Sequence, residues 1–139
     1  MMFRTFLFAS SLAAALAVFA PTLDANANDK DGCVLHTLKV TKVVPYRVTE
    51  LAGRGSYQRL AGASLFVPAQ PGLTAEWIGA NVERHLRAMG GNGMPECPLA
   101  VGSVKVTVAS GATGYWVQIA GRNSKAAGEI LARAEQIVR

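Results

Sequence analysis

Residues 74–97 read TAEWIGANVERHLRAMGGNGMPEC, and the period of their apolar positions sets the kind of fold to expect. Thr74 is suited to cap a helix, because its hydroxyl can accept from an orphan amide of the first turn. Glu76 follows in that turn, where the helix dipole favours an anion. Pro71-Gly72 just upstream reads as a turn. The pattern predicts a helix from Ala75 to about Met89, stopped by Gly90-Gly91. Ile78, Val82, His85, Leu86 and Met89 form one stripe at helical period. Glu83 and Arg87 sit one turn apart on another face and can pair weakly.

Strand patterns flank this helix. Before it, residues 63–67 (ASLFV) read as a short buried strand, closed by Pro68 and Pro71. After it, residues 101–110 alternate, with Val104, Val106 and Val108 inward and Lys105 and Thr107 outward. A Gly111-Ala112-Thr113-Gly114 turn follows, then residues 115–120 with Tyr115, Val117 and Ile119 on one face. Two alternating runs around a short glycine turn predict a β-hairpin. Trp116 falls on the opposite face, where it can cover the sheet or serve as a platform. Asn123 or Ser124 is placed to cap a last helix. Its stripe is Ala127, Ile130, Leu131, Ala134, Ile137 and Val138. Glu129 with Arg133, and Glu135 with Arg139, are favourably ordered pairs one turn apart.

Working back to the N-terminal side, residues 34–44 (VLHTLKVTKVV) alternate with period two and predict a half-buried strand. This places His36 on the more apolar face. Pro45 should end or bulge that strand, with residues 46–51 continuing it past the break. Residues 52–62 (AGRGSYQRLAG) are glycine-rich and basic. They read as a hairpin connection carrying solvated arginines, or as a recognition loop built from Arg54, Tyr57 and Arg59.

These elements predict an α+β fold, with an antiparallel sheet of about four strands and two helices packed on one face. From residue 63 onward the order strand-helix-strand-strand-helix is the ferredoxin-like order without its last strand. The N-terminal strand can fill the vacancy.

The first residues, MMFRTFLFASSLAAALAVFAPTLDANA, read as a secretory leader. Arg4 supplies the positive start, residues 5–20 the apolar stretch, and Ala25-Asn26-Ala27 a cleavage site after residue 27. The apolar run is short for a membrane span. Residues 28–139 then form a single domain. The full chain has 14 basic and 9 acidic residues, a net charge of +5. The leader contains one of each, so the balance is unchanged. The basic residues are scattered, with no dense stripe and no nucleic-acid motif, which argues against nucleic-acid binding. A basic exported domain is drawn to anionic surfaces.

Two cysteines remain, Cys33 and Cys97. An even count in an oxidising compartment predicts one disulfide. In the chain-entropy description a loop of that length is worth on the order of 4 kcal/mol.

Catalytic signatures are absent: there is no GxSxG elbow, HExxH, phosphate loop or CxxC. None of the glutamates forms an acid–base pair at helical spacing. Two function classes follow. One is a non-catalytic exported domain, periplasmic or secreted, that binds a partner protein or anionic envelope component through the helix-free sheet face (Lys105, Thr107, Gln118) and the loop with Arg54, Tyr57 and Arg59, and needs no cofactor. The other is a periplasmic copper-binding protein. His85 and Met89 neighbour each other on the helix, Met94 lies just beyond it, and His36 can join through the disulfide. Imidazoles and thioethers are a soft set suited to Cu(I). The competing structural account is a core histidine and flexible core methionines.

Overall fold

A computed structural model describes residues 32–89 and 94–139. The expected leader and the glycine turn at 90–93 lie outside the described residues. The elements run α1 (Val34–Thr37), β1 (Lys42–Ala52), β2 (Gly55–Pro68), α2 (Ala75–Met89), a 3-10 turn (Pro98–Ala100), β3 (Val104–Ser110), β4 (Gly114–Gly121) and α3 (Ser124–Ile137).

The four strands form one antiparallel sheet in the order β1-β2-β4-β3. Strands β2 and β3 therefore run parallel with β4 between them, a relation that requires the crossover α2 supplies. Strand β1 occupies the place beside β2 that the ferredoxin-like order gives to its last strand.

Both long helices cover the same face. Ala63, Leu65 and Val67 of β2 and Val117 and Ile119 of β4 are fully buried there, against Ile78 and Val82 of α2 and Ala127, Ile130 and Ala134 of α3. Burying each large aliphatic side chain contributes roughly 1.5–3 kcal/mol. Helix α2 begins as its sequence indicates: the Thr74 hydroxyl accepts from the Trp77 amide at 3.1 Å. Helix α3 is capped by Asn123, whose side chain accepts from the Ala126 amide at 2.9 Å. The alternating burial of Val104, Val106 and Val108 in β3 is as expected. Tyr115 ties β4 to the segment before α2 through a 2.7 Å bond to the Leu73 carbonyl.

At the N-terminal side one expectation is corrected and one is narrowed. Residues 34–37 form a helical turn rather than a strand. Leu35 and Leu38, three residues apart, are the buried positions, and Cys33 is buried beside them. That spacing of three, and not the period of two, is what the chain uses. The Thr37 hydroxyl closes the turn on the Val34 carbonyl at 2.7 Å. Pro45 does not end the strand but lies inside β1, paired with Ala63, and the break expected there is a register shift just beyond it at Tyr46/Arg47, past which the strand continues. An outermost strand tolerates proline because its missing N–H can face away from the ladder.

The glycine-rich connection is also shorter than its composition suggests. Ala52 pairs with Gly55, so only Gly53 and Arg54 form the turn. Gly53 takes the corner at φ 59°, a conformation that costs glycine little. The rest of residues 52–62 is strand. Strand β4 pairs with β2 only along Gly62–Pro68. Residues 55–61 of β2 thus pair only with β1 among the described residues; Ala61 is buried at the base, and the exposed residues 51–58 project as a two-stranded arm. A register shift at Tyr46/Arg47 marks where the arm leaves the body, and bulges of this kind sharpen strand twist.

Candidate functional site

Three elements converge at one end of the helical layer. Cys33 stands immediately before α1, and the His36 amide returns to its carbonyl at 2.9 Å. Cys97 ends a turn in which its amide donates to the Met94 carbonyl at 3.1 Å, and it opens the 3-10 turn through the Ala100 amide at 3.0 Å. The two cysteines form a disulfide with Cα atoms 5.5 Å apart, inside the usual span for this bond. Both are buried.

His85 comes to this bond from α2. It is 1 % exposed, and its Nε2 lies 3.7 Å from the Cys97 sulfur. The ligand atoms of Cys33, His85 and Cys97 all lie within 4.8 Å of one another. From the opposite side, Arg133 of α3 donates to the Cys97 carbonyl at 3.1 Å and pairs with Glu129 one turn earlier. The cysteine is therefore held by α1 covalently, by α3 through its carbonyl, and against the imidazole of α2.

In front of the disulfide lies a groove of about 470 Å3, lined by His36 and Met94 along with Cys33, Cys97, Pro95 and Glu96. The soft-ligand residues are thus divided. His36 and Met94 share the groove. His85 is in the core behind it, and Met89 packs at the core's edge. His36 is exposed on α1, not buried on a strand face, because its segment is helical.

The second region is the sheet face opposite the helices. Tyr46, Val48, Arg59, Lys105, Thr107 and Gln118 border a shallow depression of about 200 Å3 there. Phe66 of β2 and Trp116 of β4 meet on this face, with ring centroids 4.9 Å apart and planes tilted by 53°. Such tilted pairs are favourable beyond their burial.

Of the three candidate binding residues, Arg54 is exposed in the turn and Tyr57 is half exposed on the arm. Arg59 is not simply solvated: its Nε donates to Glu50 at 2.6 Å. The Tyr57 hydroxyl donates to the other Glu50 oxygen at 2.7 Å. The Tyr57 hydroxyl bond first, and Arg59 second, hold the Glu50 carboxyl below its ordinary range. The same bond raises the Tyr57 phenol. Sequence reasoning overlooked Glu50 because its role depends on hairpin register, which a two-residue turn at Gly53-Arg54 would have supplied. Leu51, 87 % exposed near the tip, was overlooked as well.

The chain matches no protein-family profile, no curated protein and no solved structure.

Proposed function

We propose that this chain is an exported, non-catalytic binding domain that docks a partner protein or an anionic envelope component through the β1–β2 arm. The observation that carries this reading is the arm itself. It extends past the end of β4 and places a large aliphatic side chain, Leu51, in water beside the cationic Arg54. A lone exposed leucine is ordinary on a surface; what sets this one apart is its place near the tip of a hairpin arm with a cationic turn. The Glu50–Tyr57–Arg59 cluster stiffens the arm behind its tip, which lowers the ordering cost of binding.

Export fits a chain with a leader-like start and a disulfide, since such bonds persist in oxidising compartments. No helix among the described residues is long and apolar enough to cross a membrane. The test is co-sedimentation with cell-envelope fractions. Leu51→Ser and Arg54→Ala, which touch no core residue, should reduce retention several-fold. Equal retention of both variants and the wild type removes the arm from the account.

A second reading is supported by the groove. His36 and Met94 line it together, and an imidazole with a thioether is a Cu(I)-type pair. On this reading the oxidised protein takes up Cu(I) and His36→Ala loses it. Failure of the oxidised protein to compete with a Cu(I) chelator ends it.

A further inference from the structure

We infer that the Cys33–Cys97 bond conceals a metal site: once reduced, the two thiolates and the His85 imidazole bind one Cu(I) ion. This goes beyond the groove reading, which uses His36 and Met94 and requires no reduction.

The geometry is the first support. Three soft or borderline donors from three separate elements lie within 4.8 Å of one another, all buried. Around a thiophilic d10 ion, metal–sulfur and metal–nitrogen bonds of about 2.3 and 2.0 Å put donor atoms within roughly 4 Å of each other. Opening the sulfur–sulfur bond lets the two sulfurs separate to that distance with small side-chain rotations. The imidazole is already there, its Nε2 3.7 Å from the Cys97 sulfur. The supporting frame does not depend on the disulfide alone. Arg133 fixes the Cys97 carbonyl from α3, and His85 is fixed by its place in the stripe of α2.

The second support is the choice of ion. Two thiolates and one imidazole in a dry setting suit Cu(I), which accepts low coordination and prefers soft donors. Met94, on the groove wall beside both cysteines, offers a thioether on the side where an ion would enter through that groove.

The reductive step is ordinary thiol exchange with a dithiol donor. One donor thiolate attacks the Cys33 sulfur from the groove. The Cys33–Cys97 bond breaks and the Cys97 sulfur leaves as a thiolate. The donor's second thiol then displaces Cys33, and the donor departs as its own disulfide. Two electrons and two protons pass from donor to protein. Cu(I) binding displaces those two protons into solvent.

The test titrates Cu(I), competed with bicinchoninate, into the oxidised protein and into protein reduced anaerobically with dithiothreitol and desalted. The expected result is one equivalent bound by the reduced form only, with thiolate-to-copper absorption in the ultraviolet. His85→Gln should weaken uptake at least about tenfold. X-ray absorption of the reduced wild-type complex should show imidazole scattering, which needs no variant to fold. No uptake on reduction overturns the proposal. So does uptake without imidazole scattering, or uptake indifferent to His85→Gln in a variant with native circular dichroism, since two thiols alone would then suffice. Uptake by the oxidised form that is lost in His36→Ala reports the groove reading instead, so the two fail separately.

Discussion

Arg133 of α3 donates to the backbone carbonyl of Cys97, 36 residues earlier in the chain, at 3.1 Å. The contact joins the last helix to the loop that carries the disulfide. Arg133 is partly buried, with its side chain 19 % exposed, and it is the second donor to a carbonyl that also accepts from the Ala100 amide. Arg133→Ala should cost about 1.5–3 kcal/mol, the range for a hydrogen bond with a charged donor. Arg133→Lys should recover part of this. Urea unfolding of the three proteins measures it, and an unchanged midpoint for Arg133→Ala refutes it.

The disulfide closes a sequence separation of 64 residues. Replacing both cysteines with Ala should lower stability by on the order of 4 kcal/mol. The folded circular dichroism spectrum should survive at low temperature, because Leu35, Leu65, Ile78, Ile119 and Ile130 remain buried. Chemical denaturation gives the number, and a loss below about 1 kcal/mol would mean the bond constrains little.

Gly62 sits at the root of the arm, where a Cβ would run into the Ile119 carbonyl of the neighbouring strand. Backbone cannot yield as a side-chain tip does. Gly62→Ala should therefore destabilise by about 1–3 kcal/mol or more, as overpacking does. Gly128→Ala, which meets nothing within 4 Å, is the matched control and should be neutral or slightly stabilising. Similar thermal midpoints for the two variants would refute the close approach.

The Glu50 cluster makes the arm sensitive to pH at both extremes. The Glu50 carboxyl is lowered from its ordinary 4.5, chiefly by Tyr57 and then by Arg59. A lowered acid contributes stability above its unfolded value, and that contribution is lost as pH falls through the folded value. The Tyr57 phenol is raised from its ordinary 10.0 by Glu50. Its contribution is present below 10 and is lost as pH rises through the raised folded value. Protection of the amides of residues 47–60, measured relative to their intrinsic exchange at each pH, should therefore be greatest between these limits. Glu50→Gln should flatten both limbs, and an unaltered profile in that variant would remove the cluster as their cause.

Much of the fold could be read from the residues. Helix α2 was bounded correctly because Thr74 caps it and its stripe keeps one period to Met89. The hairpin of β3 and β4 was legible because one face is buried and the other wet, which writes alternation into the sequence. The Cys33–Cys97 bond followed from the count alone. The arm was hidden for the converse reason. Residues 51–58 are exposed throughout, so no buried face imprints a pattern on them, and the glycines at 53, 55 and 62 dominate the reading. Residues 34–41 misled because Val34, Leu38 and Val40 fall at even spacing while Leu35 and Leu38 also offer a spacing of three. Only tertiary burial chooses between them, and here it chose Leu35 and Leu38. The position of His85 in the stripe marked it as a core residue. Its neighbour across space, the Cys97 sulfur, depends on how the loop after α2 folds back, which no local pattern encodes.

The covalent ring closed by Cys33 and Cys97 contains β1, β2 and α2, and leaves β3, β4 and α3 outside. The tip of the arm, Gly53-Arg54, is therefore inside the ring. A protease that severs the backbone at this exposed turn leaves two pieces still chained together. The cut would surface only when a reductant opens the ring, so in an oxidising setting the protein can present a nicked arm while remaining one covalent molecule.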